Sequence, residues 1–195
     1  MEFERFADDA VVHCVTERQA HDVWEALSER LESVGLRLHP DKTKVVYCKD
    51  SNRRRDFECT SFTFLGYEFR PRESRSGKNG RIFTSFQPAI SPVALKDKSQ
   101  CVRRWRIHAS TTKNLEELAK WINPIVRGWM NYYGRFNRWE MYSLLRGINT
   151  YLMRWARKKF KRLRAYKRVK AWWKRLTERE PEMFVHWAWM RAFTF

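Results

Sequence analysis

Apolar positions along this chain change their spacing near its middle. Up to about residue 86 they alternate or cluster in short runs, as strands do; from residue 92 onward they recur every three or four positions, as helices do. Residues 3–6 and 10–15 read as short strands, with Asp8 and Asp9 in the tight turn of a hairpin. Thr16-Glu17-Arg18-Gln19 matches a capping box and opens a helix. Its apolar face is Ala20, Val23, Trp24, Leu27, Leu31 and Val34, and Gly35 is placed to end it. Residues 36–38 and 43–48 read as extended segments around a Pro40-Asp41 turn, and residues 50–56 as a polar loop. Residues 62–69 are strongly strand-like, with Gly66 marking a bulge or a close backbone approach. A Ser-, Arg- and Gly-rich loop (71–80) precedes a return strand at 81–86.

Ser91-Pro92 is a cap followed by proline at the first helical position, and Asn123-Pro124 repeats that pattern. The expected helices are 92–106, 114–122, 124–133, 139–160 and 167–179. The fold class is therefore α+β, strands with one helix and then an all-helical part. The boundary falls near residues 86–91, giving segments 1–88 and 91–195. At 195 residues the chain can bury one good core or two small ones.

Charge sharpens this division. The net charge is +18. Residues 101–175 hold 21 Lys/Arg against 3 Asp/Glu, so that segment carries the whole excess and the rest is balanced. Such a block calls for a polyanionic partner, nucleic acid before a membrane surface. No apolar run approaches the roughly 20 residues a membrane span needs. Met1 is followed at once by charged residues, unlike a signal peptide, and Cys14, Cys48, Cys59 and Cys101 form no CxxC pair. A reducing cytoplasm is the simplest setting. The basic segment interleaves its cations with aromatics. Arg127, Arg135 and Arg138 flank Trp129, Tyr132 and Tyr133. Lys158, Lys159, Lys161, Arg162, Arg164, Lys167, Arg168 and Lys170 place cations on more than one helix face. Grooves of that kind suit phosphate contacts and base stacking, while most of the ten Trp are expected in the core.

The acidic pair is the candidate chemistry. Two adjacent carboxylates at a strand tip repel unless a cation joins them. Mg2+ takes one or two carboxylates with substrate phosphates, as in metal-assisted nucleotidyl transfer. The alternative is a plain turn, which aspartate also favours.

Four blocks then point one way. Arg5-Phe6-Ala7-Asp8-Asp9 resembles the Tyr-Ala-Asp-Asp box of group II intron reverse transcriptases, with Phe6 keeping the ring and losing the hydroxyl. Residues 35–44, from Gly35-Leu36 to Lys42-Thr43-Lys44, resemble the next block of that family. Phe64-Leu65-Gly66-Tyr67 resembles the block after it, and residues 123–133 resemble the signature of the maturase-specific, or thumb, domain. The resemblance implies a partial reverse-transcriptase palm of antiparallel strands plus a helix, followed by a basic all-helical thumb/maturase domain. It implies that Asp8 and Asp9 are catalytic and bind Mg2+. It implies that Lys42 protonates the pyrophosphate leaving group or neutralises phosphate charge. Phe64, Leu65, Gly66 and Tyr67 would hold the primer end as a hairpin. Group II intron RNA is the implied ligand, and a DNA primer or target a further one.

Only five residues precede Phe6, so the fingers, most of the palm and a further metal-binding Asp are expected to be missing. Mg2+ is expected to bind only if a missing N-terminal half completes the site, whether the chain is a fragment, one piece of a split protein with a separate N-terminal reverse-transcriptase chain, or read from a mis-assigned start. Three readings stay open. They are a reverse transcriptase/maturase fragment inactive by itself in polymerisation, a stand-alone RNA-binding splicing cofactor, and a decayed gene fragment.

Overall fold

The computed structural model describes residues 2–53 and 55–190. The chain divides into two compact units. One comprises Met1–Phe64 with Phe69–Phe86, the other Leu65–Glu68 with Gln87–Phe195.

The first unit opens with an antiparallel hairpin of β1 (Glu2–Phe6) and β2 (Asp9–His13), in which Phe6 pairs with Asp9 and Glu2 with His13. The loop is therefore only Ala7-Asp8, with Ala7 left-handed at φ +53°. This corrects the reading that put both aspartates in the turn. A two-residue loop suffices here, so Asp9 becomes the first residue of β2. Helix α1 (Glu17–Glu32) starts as expected. The Thr16 side chain accepts from the Gln19 amide (3.2 Å), and Gln19 Oε1 accepts from the Val15 amide (2.7 Å). Residues 36–38 and 43–48 carry no strand ladder. The second of them is tied by the Tyr47 amide donating to the Cys59 carbonyl (2.9 Å). No apolar side chain of this unit is buried among the described residues, and Phe3 and Phe6 are 65% and 60% exposed.

Strands β3 (Phe62–Phe64), β4 (Tyr67–Arg75) and β5 (Ile82–Ile90) form a sheet in that order. The stretch 62–69 is thus a hairpin, not one bulged strand. Leu65 (φ +51°) and Gly66 (φ +77°) both adopt the left-handed turn conformation, which reverses the chain. Phe62 stacks on Phe69 at 4.7 Å, nearly parallel, as hairpin partners on one face do.

The second unit holds the core. Helix α2 (Pro92–Arg104) is capped by Ser91, whose hydroxyl accepts from the Ala94 amide (3.1 Å). Helix α3 (Leu115–Tyr133) is capped by Asn114 and Glu117 in a reciprocal box. It runs straight through Pro124, correcting the expected break. An internal proline costs about 3 kcal/mol. Here Leu118, Ile122, Val126 and Met130 keep one buried stripe across it, and the carbonyl of Lys120, deprived of its amide partner, sits at an exposed residue. Asn123 is therefore not a cap. Its Nδ2 donates to the Met183 carbonyl (2.8 Å) and its Oδ1 accepts from the Val185 amide (3.0 Å).

Helix α4 (Tyr142–Lys159) is the centre of the core, burying Leu145, Ile148, Leu152, Trp155 and Ala156. It begins at Tyr142 rather than Trp139 because residues 138–141 form a 3-10 turn. Helix α5 (Tyr166–Arg179) adds Val169, Trp173 and Leu176, and a short α6 (Trp187–Met190) closes the unit. Of the ten Trp, only Trp155, Trp173 and Trp187 are buried and Trp139 is exposed, so most are half-buried rather than core. Gly134 ends α3 under the Trp189 ring. A Cβ there would lie 1.9 Å from that ring and 2.5 Å from the Met130 carbonyl oxygen. Gly134→Ala is expected to lower stability by about 1–3 kcal/mol, read from the urea midpoint. An unchanged midpoint would mean that Trp189 yields at no cost.

Candidate nucleic-acid interface

The interface is built where buried stripes leave cations outside. On α4, Leu152, Met153, Trp155 and Ala156 turn inward, so Arg154, Arg157 and Lys158 share the outer face at helical spacing. The chain then leaves the helix at Phe160, makes a 3-10 turn at Lys161–Leu163, and buries Leu163. That turn brings Arg164 back beside the helix, where the Arg157 Nε donates to the Arg164 carbonyl (2.9 Å). Arg154, Arg157, Lys158 and Arg164 together line a shallow concavity of about 340 Å³. A concavity walled by four cations attracts an anion, because each cation raises the potential felt there.

Further exposed cations lie on the 3-10 turn, on α5 and on and just after α3. Lys161 and Arg162 are exposed on the 3-10 turn. On α5 the buried Val169, Trp173 and Leu176 leave Lys167, Arg168 and Lys170 outside, with the Lys170 ammonium 5.3 Å from the Tyr166 ring. Lys159 is less available. Its ammonium lies 5.3 Å from the Trp155 ring and donates to the Lys113 carbonyl. Arg127 is exposed on α3, Arg135 is exposed just beyond its end, and Arg138 lies over the Trp139 ring at 5.3 Å. Among the described residues, Arg127, Arg135, Arg138, Lys158, Lys161, Arg162, Arg164, Lys167 and Arg168 enter no ion pair. A larger concavity, about 570 Å³, has the wrong sign for RNA, being lined by Glu116, Glu180 and Glu182 with Lys120 as its one basic residue.

The acidic pair lies in the first unit. Asp8 and Asp9 are both exposed at the tip of the β1–β2 hairpin. Lys42 is exposed on the turn after His39, whose carbonyl accepts from the Lys42 amide (3.2 Å), and no ion pair joins Lys42 to either aspartate. No group of three or more His, Cys, Asp or Glu able to hold a metal occurs among the described residues. Two solvent-exposed carboxylates by themselves do not fit Mg2+ binding, since water competes for both charge and coordination.

The hairpin turn belongs with the helices. The Leu65 carbonyl accepts from Tyr132 Oη (2.9 Å), the Gly66 carbonyl accepts from the Ser91 amide (2.9 Å), and Tyr67 Oη donates to the Tyr132 carbonyl. Phe64 is half-buried and Tyr67 buried. Burial also raises the Tyr67 phenol above its usual range. Trp129, half-buried, stacks on Trp105 at 5.5 Å, and Tyr133 is buried, so neither offers a free ring face.

Arg154 and Arg157 escaped sequence reading. Their signal is their i, i+3 spacing opposite a buried stripe, whereas Lys158 stands out as part of a run of cations on more than one helix face. Asn149 also escaped it, for nothing in sequence separates a buried amide from an exposed one.

This geometry has a counterpart in known families. Residues 1–69 match the family model described as reverse transcriptase (RNA-dependent DNA polymerase), and residues 95–176 match that described as group II intron, maturase-specific domain. Asp8, Asp9, Lys42 and the 64–67 turn fall in the first match, and the cations from Arg127 to Lys170 fall in the second. No match was found among curated proteins or solved structures. The chain carries a reverse-transcriptase segment followed by a maturase-specific helical domain. It belongs to the group II intron reverse transcriptase/maturase family. Members of the polymerase family generally use Mg2+. No helix among the described residues is long and apolar enough to cross a membrane.

Proposed function

We propose that the helical unit binds group II intron RNA through the α4–α5 cations and so supports splicing, and that the chain by itself does not polymerise DNA. The observation that carries this reading is a concavity walled by four cations, together with further exposed cations on the 3-10 turn and α5 that enter no ion pair among the described residues. Charge left unpaired inside a folded protein's own surface is available for phosphate. The counterpart in the first unit is weak, with two exposed carboxylates and no third metal ligand among the described residues.

The polymerase roles proposed for the first unit are conditional. With a further carboxylate supplied by a separate N-terminal polymerase chain, Asp8 and Asp9 would bind Mg2+ and Lys42 would meet phosphate. The Phe64–Tyr67 turn would then bear on a DNA primer. The two-stranded β1–β2 sheet supports such a partner. Among the described residues it has two open edges, and two strands by themselves are marginal in water. The four cysteines are free thiols, which suits a cytoplasmic setting.

The test is a pair of measurements on the intact chain. The double variant Asp8→Ala/Asp9→Ala is expected to bind intron RNA within about twofold of the parent, because its changes lie outside the phosphate-contacting set. Primer extension on an RNA template is expected to yield no product with either protein. Robust extension by the parent, abolished in the double variant, would overturn the claim that the chain does not polymerise by itself.

A further inference from the structure

Three residues after the buried Tyr133, the chain displays a ring that the core does not use. Phe136 is 56% exposed, and Tyr132, one position before the buried tyrosine, is 46% exposed. Both pack on the buried Tyr67, with ring centroids at 5.4 Å for Phe136 (edge-on) and 5.3 Å for Tyr132. The support is rigid. Tyr67 Oη bonds the Tyr132 carbonyl, Tyr132 Oη bonds the Leu65 carbonyl, and Gly66 approaches Tyr133 so closely that a Cβ would lie 3.1 Å from its hydroxyl. Cations border the patch. Arg135 stands between the two rings in sequence and bears electrostatically on the Tyr67 hydroxyl. Arg138 follows, laid over the exposed Trp139.

Two exposed aromatic rings grouped on a fixed base keep apolar faces in water beyond what their packing on Tyr67 covers. Edged by arginines, they have the features of a base-stacking platform, with flat apolar faces for nucleobases and guanidinium groups for the adjoining phosphates. We propose that Tyr132 and Phe136, seated on Tyr67, stack unpaired bases of the bound RNA. This rests on the reading that the helical unit binds RNA. It names what part of the RNA this face takes: single-stranded loop or junction nucleotides, not duplex. Stacked bases inside a duplex offer no free face to these rings, whereas unpaired ones do. Charge complementarity selects RNA over an apolar protein partner, because the surrounding segment from residue 101 to 175 carries 21 Lys/Arg against 3 Asp/Glu.

The experiment compares a single-stranded oligouridylate with an RNA duplex of equal length, by fluorescence anisotropy over a range of salt. Phe136→Leu keeps an apolar side chain and removes the ring; Phe136→Tyr keeps the ring. Phe136→Leu is expected to weaken single-strand binding about tenfold. Duplex affinity and the slope of log affinity against log salt are expected to stay unchanged, because stacking releases no counterions. Phe136→Tyr is expected to bind as the parent does. Unchanged single-strand affinity in Phe136→Leu overturns the platform, and so does an equal loss on duplex. Loss of self-association in sedimentation, with RNA affinity intact, would assign the patch to a protein contact instead. If the parent binds neither RNA, the RNA-binding reading itself falls; if it binds duplex and the platform variants do nothing, only the platform falls.

Discussion

The triple variant Arg154→Gln/Lys158→Gln/Arg164→Gln binds structured intron RNA about 100-fold more weakly than the parent near 0.1 M salt, the loss expected when three phosphate contacts disappear. Its log–log salt slope is expected to fall in magnitude by about 2–3, since each lost contact removes slightly less than one released counterion. Gln preserves bulk and polarity, so the change is one of charge. Arg157 is left in place because its guanidinium closes the turn onto the Arg164 carbonyl, and removing it would mix folding with binding. Three substitutions on the larger concavity lined by Glu116, Glu180 and Glu182 are the matched control; they are expected to leave the salt slope unchanged. If the triple variant keeps the parental slope, phosphate lies elsewhere on the protein.

The second large effect concerns folding. Asn149 Oδ1 is the acceptor for two buried donors, His186 Nε2 (2.7 Å) and Trp187 Nε1 (3.0 Å). Asn149→Leu removes that acceptor and leaves both N–H groups unpaired in the core. At about 1–3 kcal/mol for each of the two orphaned groups, a loss of about 2–6 kcal/mol is expected. Such a loss is a large share of a typical domain's stability.

The same network sets a pH dependence. With Nε2 donating to Asn149, the buried His186 carries no proton on Nδ1, which has no partner. Burial without a counter-charge pushes its pKa down from 6.5 to about 3. The unfolded chain takes up a proton below 6.5 that the folded chain refuses until about 3. His186 therefore stabilises the fold fully above pH 6.5, and that contribution is lost as pH falls toward 3. The slope is at most about 1.4 kcal/mol per pH unit, one proton's worth. His186→Gln is expected to lose that slope while keeping the amide donor to Asn149. An identical acid profile in parent and variant would mean that His186 is solvated in the folded state.

The fold class, strands and one helix followed by helices, was legible in sequence. Apolar spacing found α1, α2, α4 and α5, because each gathers its apolar residues on one face, although α1 buries none of them fully, and amphipathic period survives in the letters. The charge count found the basic unit for the same reason, since cations there have nowhere to go but outward. Three features were not legible. By residue type alone the 62–69 stretch reads as one strand, because Phe62, Phe64, Tyr67 and Phe69 are all strand-forming; only Gly66 and the family resemblance pointed to a hairpin. Leu65 (φ +51°) shares the left-handed conformation of Gly66 against its own preference, held by the Tyr132 hydroxyl from α3. Pro124 looked like a helix start because local chemistry favours it there, yet the buried stripe of α3 prevails across it. The concavity depended on a chain reversal at Lys161–Leu163 that places Arg164 beside Arg157. A run of cations gives no hint of which ones converge.

The acidic hairpin shows the opposite case. Its residues were plain in sequence, and the structure places them where expected to within one position, at an exposed tip. A motif in two carboxylates carries chemistry only when other elements complete the coordination.

The measurement that bears most directly on the account is a binding titration of the intact chain. The two ligands are a group II intron RNA and an unrelated structured RNA of equal length and fold complexity, each over several salt concentrations. Tighter binding to the intron RNA is expected throughout, with a steep salt slope on both. Equal affinity for the two RNAs, or binding that does not weaken with salt, would contradict it.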